Sequence, residues 1–177
     1  MSLILCNFAS QRLTNMDIPT QDNTQTLAKG ALRLPKSERL RHRTLVNRLF
    51  EKGEAVYAYP LRLVYSVMSA EEVRSLFKTA LPSDIDRVQF MITVPKKKQR
   101  RAVNRVLVRR RIREAYRLTR LPLKEALMAD GSKYLSMAFI YQSDKIYDYK
   151  DLEPKMEKLL KRLNDKLFSV PADNQRE

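Results

Sequence analysis

The sequence has very few of the residues that build disulfides and metal centres. Its 177 residues include one cysteine, Cys6, and one histidine, His42. A single thiol cannot form an intramolecular disulfide, so the composition gives no indication of an oxidising compartment. One cysteine and one histidine also argue against a zinc site built from this chain. A hydrophobic fraction of 44% nevertheless suffices for one core without such cross-links.

Long apolar runs and catalytic clusters are also missing. No stretch approaches the roughly 20 apolar residues that a membrane-spanning helix needs. Met1–Ala9 is weakly apolar but has no basic leader, so we expect no signal peptide, no membrane partner and a cytoplasmic protein. No carboxylate pair, histidine pair or activated nucleophile stands out, and we expect neither catalytic residues nor a protein-bound metal.

Acidic residues are too few to balance the basic ones. The chain has 35 lysines and arginines against 20 aspartates and glutamates, which gives a formal net charge of +15. Such an excess indicates a polyanionic partner, with nucleic acid as the first candidate and an anionic membrane as the second. The plain alternative is a solvated basic surface with no dedicated partner.

Hydrophobic periodicity predicts one domain over residues 34–170, between a disordered extension at 1–33 and a polar tail at 171–177. The predicted helices and strands are a helix from Lys36–Ser37 to Gly53, strands Ala55–Tyr59, Leu61–Met68, Arg87–Val94 and Tyr134–Tyr141, and helices Arg101–Thr119, Lys124–Ala129 and Tyr149–Phe168. Ser69–Asp86 is predicted to be a linker, in which Glu71–Lys78 could form a helical turn. This order predicts an α+β or α/β sandwich with helices over one face of a small sheet.

The basic residues are concentrated between Pro95 and Leu118, where the chain reads PKKKQRRAVNRVLVRRRIREAYRL. At about 100° per residue, five arginines one turn apart form a ridge along one side of the predicted helix. These arginines are Arg101, Arg105, Arg109, Arg113 and Arg117. The other side is predicted to be mostly apolar, with Val103, Leu107, Val108, Ala115 and Leu118, although Arg111 intrudes on it.

Arginines one turn apart repel and destabilise an isolated helix by about 0.2–0.5 kcal/mol per pair. Glu114, which we expect to pair with Arg110 or Arg117, is the only acid available to offset this repulsion. Because guanidinium groups match phosphate oxygens, we predict that the helix binds nucleic-acid phosphates. A solvated basic face and a helix lying on a membrane surface are the alternatives.

The basic helix alone does not distinguish RNA from DNA. Helix-turn-helix and basic-zipper patterns are both absent from the sequence. Four aromatic residues on the predicted sheet could stack on unpaired bases, or could simply pack in the protein. They are Tyr57, Tyr59, Tyr65 and Phe90.

Arg101–Arg117 resembles the arginine-rich signature helix of the bacterial ribonuclease P protein component. In that family an Arg-Asn-Arg core leads into a basic pair and then into Arg-Glu-Ala-aromatic. Arg105 matches the first arginine of the core, Arg109 and Arg110 match the basic pair, and Arg113–Tyr116 matches the ending. Val106 and Leu107 stand where the family has asparagine and arginine, so the contacts of those two side chains are not carried over.

A second segment, Leu34–Gly53, resembles the opening helix of the same family. Phe50 matches an aromatic that lines the family's cleft for the 5′ leader of precursor tRNA, Val46 stands where another phenylalanine is common, and Tyr65 aligns with a further leader-contacting aromatic. The resemblance implies that the leader is bound by Phe50, Val46, Tyr65, Lys36, Arg39 and Arg41. It implies that the catalytic RNA is bound by Lys96, Lys97, Lys98, Arg101, Arg105, Arg109, Arg110, Arg113 and Arg117.

The resemblance covers roughly Leu34–Phe168 and also implies a fold and an activity. The fold is a four-stranded sheet with three helices in the order αβββαβα, with a left-handed βαβ crossover in place of the usual right-handed one. The activity is that of ribonuclease P, in which a partner RNA, holding most of the Mg²⁺, removes the leader from precursor tRNA. A ribosomal or ribosome-assembly protein without a nuclease role and a DNA-binding regulator are the competing hypotheses, although we expect no DNA partner.

Overall fold

The computed structural model describes residues 32–77, 82 and 85–168, so most of the predicted extension at 1–33 and the tail at 171–177 lie outside the described residues. The helices and strands are α1 (Arg43–Lys52), β1 (Glu54–Ala58), β2 (Leu61–Ser69), α2 (Ala70–Leu76), β3 (Val88–Thr93), α3 (Ala102–Thr119), α4 (Leu121–Asp130), β4 (Lys133–Tyr141) and α5 (Tyr149–Phe168). None of the helices in these ranges is long and apolar enough to cross a membrane.

The four strands form one mixed sheet in the order β1-β2-β4-β3, which confirms the predicted four-stranded α+β fold. β2 is antiparallel to both β1 and β4, whereas β3 runs parallel to β4. Parallel neighbours need a long connection, and α3 and α4 supply it here as a βαβ crossover. The left hand of this crossover stays a prediction.

One face of the sheet carries the main core. Along β2 and β4, alternate residues such as Leu63, Met137 and Phe139 point to this face and are fully buried. The helices α3, α4 and α5 cover it. Leucines and a methionine recur at helical spacing along α5, which predicts a core stripe of Leu152, Met156, Leu159, Leu160, Leu163 and Leu167. The first five are buried there, and Leu167 is partly buried.

The opposite face is only partly covered. Leu45 and Leu49 of α1 pack there against a smaller cluster that includes Val64, Met68 and Ala138. Helices therefore lie on both faces, and not on one as the sequence pattern predicted. The reason is that β2 and β4 have buried apolar residues in both alternating sets, which is typical of strands covered on two sides.

Three helices differ from their predicted extents, giving five helices where the resemblance implied three. The predicted first helix is interrupted, because the backbone N–H of Leu40 donates to the carbonyl of Phe90 at the edge of β3 (2.9 Å), and α1 begins only at Arg43. α2 lies in the predicted linker and starts with a Ser69–Glu72 capping box. α4 begins before its predicted start because Pro122 lies in its first turn, where no backbone N–H is needed.

The segment before α1 is held by a buried ion cluster. The carboxylate of Glu38 is fully buried and accepts hydrogen bonds from Arg120, at the junction of α3 and α4, and from Lys124 (2.5 Å). Arg120 also donates to the carbonyl oxygen of Arg33 (2.7 Å), so the contacts of the folded domain begin inside the predicted extension. One residue before Glu38, the carbonyl of Ser37 accepts from the Gln89 side chain of β3 (3.0 Å). The chain is thereby fixed where it crosses the edge of β3 towards α1.

Replacing Glu38 by alanine should lower the free energy of unfolding by about 3–5 kcal/mol, because the buried Arg120 loses its carboxylate. Urea denaturation of the variant and the parent protein measures this difference. Lys166→Ala is the control, since it removes an exposed pair with Glu54 (3.7 Å) and should change stability little. Equal unfolding midpoints for Glu38→Ala and the parent protein would contradict the structural role of the cluster.

Candidate RNA-binding site

The outer surface of α3 carries most of the predicted RNA-binding residues. The helix is anchored in the main core by Val108, Ile112, Ala115 and Tyr116, which are fully or almost fully buried. Of the predicted apolar side, Val108 and Ala115 belong to this stripe, and the other three residues do not. Val103 is 78% exposed, and more than a third of Leu107 and of Leu118 is exposed.

The arginine row of α3 winds around the helix and does not stay on one side. Each step of four residues rotates by about 40°, so Arg105 lies near the buried stripe while Arg113 and Arg117 lie farther out. The guanidinium of Arg105 donates to the carbonyls of Gln99 (3.0 Å) and Arg100 (2.5 Å). Arg105 therefore fixes the turn that leads into α3, and its donors are partly used within the protein.

Two further arginines of α3 are engaged by acids. Arg117 pairs with Glu114 through two hydrogen bonds of 2.9 and 2.5 Å, which confirms the predicted partner and lowers the pKa of the Glu114 carboxyl. Arg111 donates to the carbonyl of Tyr147 (2.6 Å) and pairs with Asp148 (2.9 Å). The arginine that intruded on the predicted apolar side thus ties α3 to the start of α5.

The remaining arginines of α3 are available to an external anion. Among the described residues, Arg101, Arg110 and Arg113 are exposed and have no hydrogen-bonding or ionic partner. Arg109 is exposed as well, and only its Nε donates within the helix, to the carbonyl of Arg105 (3.2 Å). These unpaired guanidinium groups give α3 a strongly positive outer surface.

The loop between β3 and α3 extends this positive surface. Lys96 and Lys97 are exposed, whereas Lys98 pairs with Asp144 (3.2 Å). The buried side chain of Gln99 donates to the carbonyls of Ser143 (3.4 Å) and Asp144 (2.6 Å), which pins the loop to the β4–α5 connection. We call the exposed cations of this loop and of α3 the basic surface. It consists of Lys96, Lys97, Arg100, Arg101, Arg109, Arg110 and Arg113.

A separate open region lies beside α1 on the other face of the sheet. On one flank of α1, Arg48 approaches Glu72 of α2 (3.9 Å), and α2 follows the C-terminal end of β2. The other flank carries Val46 and Phe50, one turn apart, and faces the β1–β2 hairpin. Phe50 is 51% exposed, as a side chain on the wall of a cleft would be.

The strand register defines the floor of this region. Thr93 of β3 pairs with Ile140 of β4, and Ile140 pairs with Arg62 of β2. All three alternate with core residues, so they point to the face on which α1 lies, and all are partly exposed. We call the region the open cleft, with Val46 and Phe50 as its wall and Thr93, Ile140 and Arg62 as its floor. Its Thr93 end is followed directly by the loop of the basic surface.

Tyr65 does not belong to the open cleft, contrary to the prediction. It alternates with Val64 and shares the core face with Leu61 and Leu63, where only 5% of it is exposed. Its hydroxyl donates to Glu54 (2.5 Å), and burial raises its pKa. Phe90 is buried on the same face against Tyr116, so neither ring can stack on a base.

Strand alternation in β2 could have revealed the position of Tyr65 and also the missed floor residue Arg62. The other two predicted aromatics, Tyr57 and Tyr59, are exposed. The structure therefore leaves two of the four predicted sheet aromatics exposed, although the Tyr59 hydroxyl donates to Ser143 (3.1 Å) and only the Tyr57 hydroxyl has no such contact among the described residues.

The predicted N-terminal cations gather at the opposite end of α1 from Phe50. Lys36, Arg39 and Arg41 are all exposed beside the edge of β3, where Arg39 forms a single parallel bridge with Phe90. The Arg41 side chain donates to the carbonyl of Lys36 (3.2 Å). In the described part of the chain, no group of three or more His, Cys, Asp or Glu side chains could hold a metal ion.

Comparison with known proteins assigns the chain to a family. The model of the family Ribonuclease P matches residues 34–164. The ribonuclease P protein component of Porphyromonas gingivalis is 37% identical over 142 residues, covering 80% of this chain and 94% of that protein. The corresponding protein of Chlorobaculum tepidum is 34% identical over 113 residues, covering 62% of this chain and 68% of that protein.

A solved structure shares the fold. The Staphylococcus aureus RNase P protein, in a mutant described as defective in mRNA degradation activity, matches with a TM-score of 0.50 at 19% identity, covering 72% of this chain and 89% of that one. At this identity the likeness shows the fold alone. The family model and the sequence relatives carry the assignment: the chain belongs to the ribonuclease P protein component family.

Proposed function

We propose that the protein serves tRNA 5′ maturation as the RNA-docking subunit of ribonuclease P. The basic surface binds the catalytic RNA, and the open cleft holds the single-stranded 5′ leader of precursor tRNA. The observation that carries this proposal is a set of guanidinium groups without a partner among the described residues, Arg101 at the N-cap of α3 and Arg110 and Arg113 on α3, next to two exposed lysines of the adjoining loop.

Electrostatics supports RNA as the partner of the basic surface. Carbonyls and acids of the protein satisfy Arg105, Arg111 and Arg117, but no residue in the described ranges provides an anion for the other arginines of α3. Phosphate groups relieve their mutual repulsion, and each contact releases counterions from the RNA. Arginine forks also orient phosphates through paired hydrogen bonds, which a lysine cannot do.

The open cleft suits an unpaired strand better than a duplex. Its wall presents the exposed ring of Phe50, and stacking on an aromatic ring requires a base that is free of its partner. The cleft and the basic surface meet at the β3–α3 loop, since Thr93 lies three residues before Lys96. One protein can thus contact the catalytic RNA and the leader at the same time.

The proposal assigns the chemical step to the RNA. The RNA, with the Mg²⁺ that it binds, activates the water that cleaves the phosphodiester at the 5′ end of the mature tRNA. The protein contributes binding energy and positioning in the cytoplasm, and its own residues take no proton in this scheme. Mg²⁺ enters only as an ion of the RNA partner.

Adding the full chain to the ribonuclease P RNA of the same organism at low Mg²⁺ should restore cleavage of precursor tRNA. The protein's cations replace part of the charge screening that Mg²⁺ otherwise supplies. Gel analysis of the 5′-leader product measures the rescue. Co-sedimentation with ribosomal subunits without any rescue would instead support the ribosomal or ribosome-assembly role.

The single substitutions Arg110→Ala and Arg113→Ala should each weaken binding to the catalytic RNA. Each lost phosphate contact should also reduce the slope of log K against log salt concentration by about one. Filter binding over a salt series measures both quantities. Arg117→Ala is the matched control on the same helix, because Glu114 already engages that arginine, and its effect should be clearly smaller. Equal effects of all three substitutions would contradict the assignment of the free arginines.

Phe50→Ala should weaken binding of leader-bearing precursor tRNA to the holoenzyme by about 1–3 kcal/mol, the contribution of one stacked base. Phe50→Tyr keeps the ring and should retain most of the affinity. Because half of Phe50 is exposed, the fold should tolerate both changes. Equilibrium binding is measured for precursor and mature tRNA, and an equal loss for mature tRNA would rule out a leader contact.

A further inference from the structure

An exposed tyrosine and an arginine form a stacked pair beyond the open cleft. Tyr57 lies on the edge strand β1 directly opposite Arg62 of β2, in the cross-strand row that continues the floor of the cleft. The guanidinium carbon of Arg62 lies 5.3 Å from the centre of the Tyr57 ring. The ring is nevertheless 52% exposed, so a large part of it remains open to solvent.

The fold does not account for this pair. Tyr57 belongs to neither hydrophobic cluster of the described residues, whereas its strand neighbours Val56 and Ala58 are buried in the main core. The Arg62 guanidinium donates no hydrogen bond to any described residue, and its Nε has no acceptor there. The pair therefore places an exposed aromatic ring next to a partly exposed guanidinium group that donates no hydrogen bond to the described residues.

We propose that Tyr57 and Arg62 form a second stacking platform for the leader, separate from Phe50. The ring takes an unpaired base, and the guanidinium of Arg62 binds the adjoining phosphate. This inference rests on the proposed function and names a further leader-positioning site for it.

The position of the pair supports a single strand as its ligand. The row runs across the sheet from Thr93, beside the basic loop, through Ile140 and Arg62 to Tyr57 at the opposite edge. The cross-strand pair Ala55–Val64 lies nearer to α1 than the pair Tyr57–Arg62. The two pairs are separated by two residues along each strand, which is about 7 Å. A strand lying in the cleft can thus reach Phe50 and Tyr57 with different nucleotides. Aromatic rings combined with arginine are typical of sites that bind single strands without sequence preference.

The test uses the reconstituted holoenzyme and precursor tRNAs whose leaders are shortened one nucleotide at a time. For the parent protein, binding affinity should rise in two steps as the leader lengthens, one step for each ring. Tyr57→Thr keeps strand propensity but removes the ring, and it should abolish one step, reducing the affinity for long leaders about five- to tenfold. Tyr57→Phe should keep both steps, and Arg62→Gln should reduce the Tyr57 step.

Tyr59→Ala is the matched control. Tyr59 is also an exposed tyrosine of the hairpin, but its hydroxyl donates to Ser143 (3.1 Å) and its ring contacts Tyr147. This variant should keep both steps. Thermal unfolding of each variant verifies that the fold is intact before binding is compared.

The outcomes separate the platform from the proposed function. If affinity rises with leader length in a single step, which Phe50→Ala removes and Tyr57→Thr leaves intact, then the platform is wrong and the leader cleft is retained. No dependence on leader length in the parent holoenzyme overturns the leader cleft itself. A loss with Tyr57→Thr that is the same for leaderless tRNA overturns the platform, because the residue then contacts another part of the RNA.

Discussion

The buried carboxylate of Glu38 determines where α1 can lie. Arg120 and Lys124 hold this carboxylate at the α3–α4 junction, on the core side of the sheet. Five residues later, the chain has crossed the edge of β3 and starts α1 on the other side. Burying an ion cluster has a large desolvation cost, and the contacts that offset it exist only in this arrangement. The wall of the open cleft therefore depends on an ion cluster on the opposite face.

Successive side chains along each strand point to opposite faces of the sheet, which places the main core on one face and the open cleft on the other. In β2 and β4, one set of side chains packs under α3, α4 and α5 and forms the main core. The other set is covered only where α1 and α2 lie, and the rest of that face forms the floor of the open cleft. Thr93, Ile140 and Arg62 can therefore contact a ligand without any opening of the core. This separation explains why a small domain can keep a binding face beside a fully packed interior.

The basic helix combines two uses of arginine. Arg105, Arg111 and Arg117 stabilise the fold, since they bind carbonyls and acids of the loop, of the start of α5 and of α3 itself. Among the described residues no acid pairs with the exposed arginines, which therefore keep the mutual repulsion that phosphate groups would relieve. Val106 and Leu107, which depart from the family pattern, are both partly exposed on this helix. They add apolar area to a surface that otherwise binds through charge.

The sequence by itself determined the four strands, the basic helix, the α5 stripe and the family. These features depend on local periodicity and on a motif contained within one helix. The alternation of β2 also contained the information that Tyr65 belongs with Leu61 and Leu63. Aligning residue types with the family did not show on which face Tyr65 lies, because an alignment shift of one residue along a strand moves a side chain to the other face of the sheet.

Only the tertiary structure decided which cations are free and where the first helix begins. Arg111 pairs with Asp148 in a distant part of the chain, and the backbone N–H of Leu40 donates to the carbonyl of Phe90, which lies on a strand much later in the sequence. No local pattern encodes such partners, because they meet only when β3, α3 and α5 pack together. By contrast, the register of the β1–β2 hairpin places Tyr57 opposite Arg62, and the ring of Tyr57 stays half exposed.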